Sequence, residues 1–348
     1  MVLLSAESKS TSMHGTVLDL WEIGGKHRMV EPPFQPYCYS LRPVQGAKPV
    51  QKKLLSDMKY HTIYEMIFDN EDVLERCRNA YTIDDRLPFK MRVAVDLGYK
   101  FLSNYPTLFG WDCETITTGL SPDSQTDTID SIATWGEKQS ERAFFYNKGK
   151  PKETILEFIE HFKSIDPDVP TDFNGRFYDY PVLIQNCNRF GIKCDIGRNG
   201  GIPYVLKNEF EKRGKGQTEH TIMLNGRVPF DIDKETRNDY VLTIAGLKNR
   251  GLKEVARHFK LNPIEVDYSK MQELSYSELE AYNLSDARCT YELGQIYFRG
   301  LYELAEYLNI PVDAIITRSP SHIGNIVLGR SFNQMGIVAD GANKFRFP

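Results

Sequence analysis

Apolar and polar positions alternate through the first third of the chain. The run His14-Gly15-Thr16-Val17-Leu18-Asp19-Leu20-Trp21 steps between the two kinds of residue, Gly24-Gly25 offers a tight turn, and Lys26 to Val30 returns. A period of two around a Gly-Gly turn predicts a β-hairpin. Phe34 to Leu41 is a further strand candidate, Asn70 to Arg78 has helical spacing, and Asp84 to Phe89 leads through Pro88 into a second helical stretch, Lys90 to Leu97. These elements predict a small β-rich α+β unit over residues 1–105.

From residue 106 the pattern changes to longer strands interleaved with helices. Leu108 to Thr115, Ile129 to Trp135 and Ala143 to Tyr146 read as strands of a meander. Pro151 opens a helix over Glu153 to Ile165, whose Ile155, Phe158, Ile159 and Phe162 recur at i, i+3, i+4 and i+7 and form a core-facing stripe. A strand is expected toward Asp172-Phe173-Asn174-Gly175, followed by a helix over Pro181 to Arg189. Gly201 to Leu206 and Thr221 to Phe230 predict a strand pair with a charged tip at Lys207 to Lys215. Leu242 to Phe259 predicts one helix whose Arg250 and Lys253 make its outer side basic, either a solvated face or a nucleic-acid contact. Ser277 and Glu280 have capping-box spacing at the head of a long helix that runs to about Leu308.

At 348 residues the chain is long enough for two domains. With 41% hydrophobic and 26% charged residues it belongs with globular proteins rather than disordered or fibrous ones. It has no apolar run of membrane-spanning length and no signal-peptide core at its start, so a cytoplasmic rather than secreted location is expected. Cys38, Cys77, Cys113, Cys187, Cys194 and Cys289 include no C-x-x-C pair, which indicates neither a zinc site nor a disulfide framework. The net charge of -4 excludes a general DNA-coating role. It leaves room for an enzyme whose acidic cleft is made attractive to phosphate by bound cations.

Such a cleft has candidates. Asp112 and Glu114 lie two apart in a strand, so they point to the same face and repel one another unless a cation lies between them. Hard carboxylate oxygens favour a divalent ion. Asn174-Gly175 makes a turn that delivers Phe177, Tyr178 and Asp179 to the mouth of a helix, where Asp179 can serve as a helix cap, as a ligand, or as both. Tyr282 and Asp286, four apart, share one face of the long helix.

D-x-E on a strand, N-G-x-x-x-D-x-P at a helix start and Y-x-x-x-D on a later helix, in this order, resemble the Exo I, Exo II and Exo III motifs of family B DNA polymerases. Phe34-Gln35-Pro36-Tyr37-Cys38-Tyr39 and Leu87 to Asp96 resemble the N-terminal domain of archaeal-type members, and Asn309-Ile310-Pro311 with Thr317-Arg318-Ser319 resembles the lead into their palm. The resemblance implies an α/β architecture: an RNase H-like (DnaQ-like) exonuclease domain with a mixed sheet over residues 106–313, preceded by the N-terminal domain and followed by a stub, 314–348. It implies 3′-5′ exonuclease activity on single-stranded or frayed DNA, with Asp112, Glu114, Asp179 and Asp286 holding two Mg²⁺ or Mn²⁺ ions about 3.5 to 4 Å apart and Tyr282 orienting water. Asn174, Phe177 and Tyr178 would contact the DNA strand. Implied partners are primer-template DNA, a polymerase-domain polypeptide and a sliding clamp, with no membrane. The palm motifs S-L-Y-P-S and Y-G-D-T-D do not occur, so this chain alone is expected not to polymerise. The family usually has Asn-Phe where this chain has Phe177-Tyr178. Pro36, Phe89 and Arg92 fall where the archaeal-type domain captures template uracil, or are ordinary packing and surface residues. A non-catalytic template- or partner-binding module, and a ribonuclease or structure-specific nuclease on the same fold, are the alternatives.

Overall fold

A computed structural model describes residues 3–11, 15–25, 27–30, 35–69, 71–77, 82–83, 105–117, 122–212, 215–267, 271, 273–317 and 320–338. The chain divides into two units: residues 1–22, 26–103 and 304–348 form one, and residues 23–25 and 104–303 the other.

In the first unit, β1 (Leu3–Thr11), β2 (Gly15–Glu22) and β3 (His27–Val30) form an antiparallel sheet. Gly24 and Gly25, with φ of 79° and 84°, make the turn before β3, a backbone conformation that a Cβ would penalise. A second sheet has the order β15-β5-β6-β4-β7, from β4 (Tyr37–Ser40), β5 (Lys48–Leu54), β6 (Tyr60–Ile67), β7 (Thr82–Ile83) and β15 (Ile337–Val338), with helix α1 (Glu71–Cys77) between β6 and β7. The segment expected to be a stub therefore folds back: Ile337 and Val338 are buried and pair in parallel with Lys53 and Leu54. The apolar Ile-Val pair covers the edge of β5, where it buries hydrophobic area. The helix expected over Lys90 to Leu97 lies outside the described residues.

The second unit is built on a five-stranded mixed sheet, β10-β9-β8-β11-β14. It comprises β8 (Leu108–Ile116), β9 (Thr128–Trp135), β10 (Ala143–Tyr146), β11 (Val169–Asp172) and β14 (Phe230–Asp231). β8, β9 and β10 are antiparallel, while β11 runs parallel to both β8 and β14. Helices α2 (Pro151–Ile165) and α3 (Asp179–Phe190) cover one face, where Phe109, Trp111 and Cys113 pack with Phe158, Phe162, Tyr180 and Leu183. The alternation of β8 thus sends odd-numbered apolar residues to this core and even-numbered ones to the other face. That other face is crossed by the 33-residue helix α7 (Tyr276–Leu308).

Three details between these elements differ from the sequence expectations. The charged segment Lys207 to Lys215 is not a loose tip, since β12 (Tyr204–Lys212) and β13 (Lys215–Met223) pair through it almost to their ends. The register pairs Lys207 with His220 and Glu209 with Thr218. The single helix expected over Leu242 to Phe259 is two: after α4 (Ile232–Asn238) come α5 (Tyr240–Ile244) and α6 (Leu252–His258), because Gly246 at φ 77° and Gly251 interrupt the ladder. The capping box of α7 sits two residues earlier than expected, where the Ser275 N–H and hydroxyl both donate to Glu278 Oε2 (2.8 and 2.6 Å). Helices α8 (Val312–Thr317) and α9 (Pro320–Gln334) complete the described chain before β15.

Candidate metal centre

The centre is assembled where α7 crosses β8. At Gly110 a Cβ would lie 2.6 Å from the carbonyl oxygen of Ala287 and 2.8 Å from Tyr291, so only glycine lets the helix come this close. Asp112 and Glu114 follow on the same face. Across from them, Asn283 is fully buried and donates from Nδ2 to Asp112 Oδ2 (2.9 Å), while its Oδ1 accepts from the Ser131 hydroxyl (3.2 Å). The serine fixes which way the amide points, and the amide in turn fixes the Asp112 carboxylate.

Asp286, one turn beyond Asn283, completes a cluster in which one carboxylate oxygen each of Asp112, Glu114 and Asp286 lies within 4.8 Å of the others. Asp179 is outside this tight trio; its Oδ1 accepts from the Cys113 thiol (3.2 Å). Asp179 is the first residue of α3 rather than the residue capping it, so the helix begins two residues earlier than its Pro181 suggests. Its charge still reaches the trio. Burial, then the nearby charges of Glu114 and Asp179, push the Asp112 carboxyl well above its ordinary range. Burial raises Glu114 to about 8, and Asp179 to about 6. Four carboxylates crowded this way form a site whose charge calls for a cation.

Within the protein, Lys253 answers that call. The sequence pattern places it on an exposed basic side, yet its side chain is only 16% exposed, its Nζ is bonded to Asp286 Oδ1, and it lies 4.3 Å above the Tyr282 ring. The break at Gly251 explains the difference, because α6 starts afresh there and directs its first turn inward. Burial lowers the lysine's affinity for its proton, while Asp112 and Glu114 support it. Arg250 is likewise not a solvated charge: it donates to the carbonyls of Thr236 and Arg237 and to Thr243 Oγ1. Tyr282 is 1% exposed, one turn before Asp286 on the same side of α7.

The turn between β11 and α3 is held from below. Asn174 adopts φ 70°, a conformation asparagine tolerates, and its N–H donates to Asp231 Oδ1 (2.9 Å); Arg176 pairs with Asp231 at 2.6 Å. Phe177 is exposed and lies tilted against His220 with ring centroids 4.7 Å apart. Tyr178 is half-buried, and its hydroxyl donates to Asp127 Oδ2 (2.6 Å). Since that hydroxyl has one proton, the contact at 2.6 Å with Thr115 Oγ1 must be donated by the threonine. Asp127, fully buried, also accepts from the Asp123 N–H and the Thr117 hydroxyl. This clasp joins the residue after Glu114 to the residue before Asp179.

Of the residues expected to line a template-base pocket, Pro36 is buried and its carbonyl accepts from the Phe68 N–H (2.8 Å), while Phe89 and Arg92 lie outside the described residues. Among the described residues no helix is long and apolar enough to cross a membrane.

Comparison with known proteins agrees with this architecture. A DNA polymerase from Thermococcus litoralis is 29% identical over 179 residues, covering 51% of this chain and 10% of that protein. A DNA polymerase from Thermococcus sp. (strain 9oN-7) is 25% identical over 309 residues, covering 82% of this chain and 37% of that one. The chain thus spans well under half the length of these curated relatives. In three dimensions it resembles the family B DNA polymerase from Pyrobaculum calidifontis, with a TM-score of 0.79 at 17% identity over 100% of this chain and 52% of that one. The RNase H-like exonuclease fold expected from the motifs is borne out. The model of the exonuclease domain of DNA polymerase family B matches residues 77–255, which contain Asp112, Glu114, Asp179 and Lys253. Covering just over half of the 348 residues, that match makes this chain a member of DNA polymerase family B by its exonuclease domain.

Proposed function

We propose that the chain is a divalent-metal-dependent 3′-5′ exonuclease that removes nucleotides from single-stranded or frayed DNA ends, the proofreading half of a replicative polymerase. The observation that carries this reading is the convergence of Asp112, Glu114 and Asp286 oxygens within 4.8 Å, with Asp179 beside them. The donor set suits the role, since hard oxygen ligands with an excess of negative charge select Mg²⁺ or Mn²⁺ over softer ions. A pair of such ions would supply the positive charge that activates water and stabilises the leaving 3′-oxygen.

The rest is the work of the protein's own groups. Asp112, Glu114 and Asp286 bind the ions, with Asp112 held in orientation by Asn283. Asp179 adds charge from the head of α3. Tyr282 orients water through its phenol hydroxyl, which can both donate and accept a hydrogen bond. Lys253 pairs with Asp286 and holds it in place until the ions arrive. The same reading extends to primer-template DNA, a polymerase-domain polypeptide and a sliding clamp as partners, in a cytoplasmic replication setting. It treats residues 106–313 as the catalytic domain.

The test is degradation of 5′-labelled single-stranded DNA in Mg²⁺ or EDTA by the parent and by Asp112→Ala with Glu114→Ala. Metal-dependent release of mononucleotides, lost in the double variant, is expected. Undiminished cleavage by that variant rules the assignment out, and a preference for RNA would move the substrate to the ribonucleotide class.

A further inference from the structure

The sheet face that carries the acidic residues does not end at them. In antiparallel strands, directly opposed residues point to the same face. The register places Asp112, Ala133 and Phe144 in one row, and Glu114, Ser131 and Tyr146 in the next. Phe144 and Tyr146 on β10 therefore stand on the metal side of the sheet, two strand spacings of about 4.8 Å each from Asp112 and Glu114. Their rings stack at 6.1 Å with an interplanar angle of 23°. Tyr276, at the first turn of α7, meets both, edge-on to Phe144 at 5.6 Å and tilted against Tyr146 at 5.9 Å. Tyr276 keeps 55% of its surface exposed.

Beyond Tyr146 the chain turns through Asn147-Lys148-Gly149-Lys150, and both lysines are exposed. Asp130 links this corner to the centre: it falls in the bulge of β9 opposite the Glu114–Thr115 step, where its charge acts on Glu114, and it feels the charge of Lys148. A ledge of aromatic rings flanked by lysines, continuous with a metal centre, has the two features that bind single strands without regard to sequence. Rings stack on bases, and ammonium groups meet phosphates.

We infer that Phe144, Tyr146 and Tyr276, with Lys148 and Lys150, form a binding ledge for single-stranded DNA whose 3′ end lies at the acidic centre. The inference rests on the nuclease reading for the placement of that end, but the ledge has its own chemistry. Tyr276 offers the open ring face on which a base stacks, and Phe144 and Tyr146 hold that ring up. Lys148 and Lys150 follow the backbone of the strand along the edge of the sheet. In the sheet order β10 lies on one side of β8 and β11, which leads to Phe177 and Tyr178, on the other, so bases on the ledge would belong to nucleotides upstream of the one removed.

The experiment separates binding from hydrolysis. Fluorescence anisotropy of the full chain with labelled oligodeoxythymidine in EDTA measures binding alone, and 5-iododeoxyuridine placed at successive positions from the 3′ end reports by photocrosslinking which ring a base touches. Tyr276→Ala is expected to weaken binding about tenfold, Tyr276→Phe to restore it, and Lys148→Ala with Lys150→Ala to flatten its salt dependence. Crosslinks should map to Tyr276 or Tyr146. Cleavage of a dinucleotide, too short to reach the ledge, should be equal in Tyr276→Ala and the parent. Oligonucleotide affinity unchanged in Tyr276→Ala, or crosslinks confined to Phe177 and Tyr178, overturns the ledge and leaves the rings as packing for α7. Ledge-dependent binding without metal-dependent cleavage supports the ledge and instead overturns the nuclease reading.

Discussion

Replacing Lys253 by methionine keeps most of the side chain's volume and removes its charge, so it isolates what the ammonium does among the carboxylates. Lys253 and Asp286 are 16% and 6% exposed, a largely buried pair. Removing one partner of such a pair costs about 3 to 5 kcal/mol, because the other charge stays behind uncompensated. Here the charge left behind also faces Asp112 and Glu114. At about 2 to 4 °C per kcal/mol for a unit of this size, a loss of about 3 kcal/mol lowers the metal-free melting temperature by about 6 to 12 °C. Divalent ions should return most of it, since a ligand at a hundred times its Kd stabilises by about 2.7 kcal/mol. In the parent the gain should be smaller, because binding must first displace the ammonium from Asp286. Scanning calorimetry of both proteins in EDTA and in saturating Mn²⁺ reads these four values directly. If Lys253→Met melts with the parent in EDTA, or if Mn²⁺ raises both by the same amount, the lysine is not the internal counter-charge of this centre.

Two further outcomes follow from the same geometry. Glu114 is raised from 4.5 to about 8, a folded-state pKa above the unfolded one, so folding favours its protonated form. The associated stability is fully present below about pH 4.5 and is lost as pH climbs to about 8; urea unfolding in EDTA should show this decline, and Mn²⁺ affinity should rise over the same window as the proton leaves. A flat profile in both would contradict the raising of the Glu114 carboxyl by burial. Tyr178→Phe removes the hydroxyl of the Thr115–Tyr178–Asp127 clasp and leaves a fully buried carboxylate short of a donor, at a cost of about 1 to 3 kcal/mol. Weaker Mn²⁺ binding by calorimetry and slower hydrolysis are expected with it, whereas stability and affinity equal to the parent would mean that the clasp does not position Asp179.

The readable parts of the centre were those whose geometry is local. Asp112 and Glu114 share a face because a strand repeats every two residues, and Tyr282 and Asp286 share one because a helix nearly repeats every four, so the pairs could be seen without any fold. Asn283 has the same helical relation to Asp286 and could have been found by asking what lies on that face between the two motif residues. Lys253 had no such signal. It stands among Leu252, Glu254, Arg257 and His258 on a helix that reads as solvated, and only the break at Gly251 and the position of α7 turn it inward. Asp127 was equally silent, a buried acid in a polar loop whose partner Tyr178 comes from a distant segment. The return of β15 to β5 joins residues nearly three hundred positions apart, a pairing that two apolar residues cannot announce.

Gly110 sets a tolerance. The missing Cβ allows α7 to rest on β8 with backbone against backbone, and a methyl group there would have to occupy space 2.6 Å from a carbonyl oxygen. The three clustered carboxylates come from opposite sides of this contact, two from the strand and one from the helix. Their span is therefore gauged by main-chain atoms, which are stiff, rather than by side-chain rotamers, which are not. Any side chain at position 110 acts as a shim that lifts the helix, widens the gap between Asp286 and the Asp112–Glu114 pair, and detunes the centre without touching a single ligand.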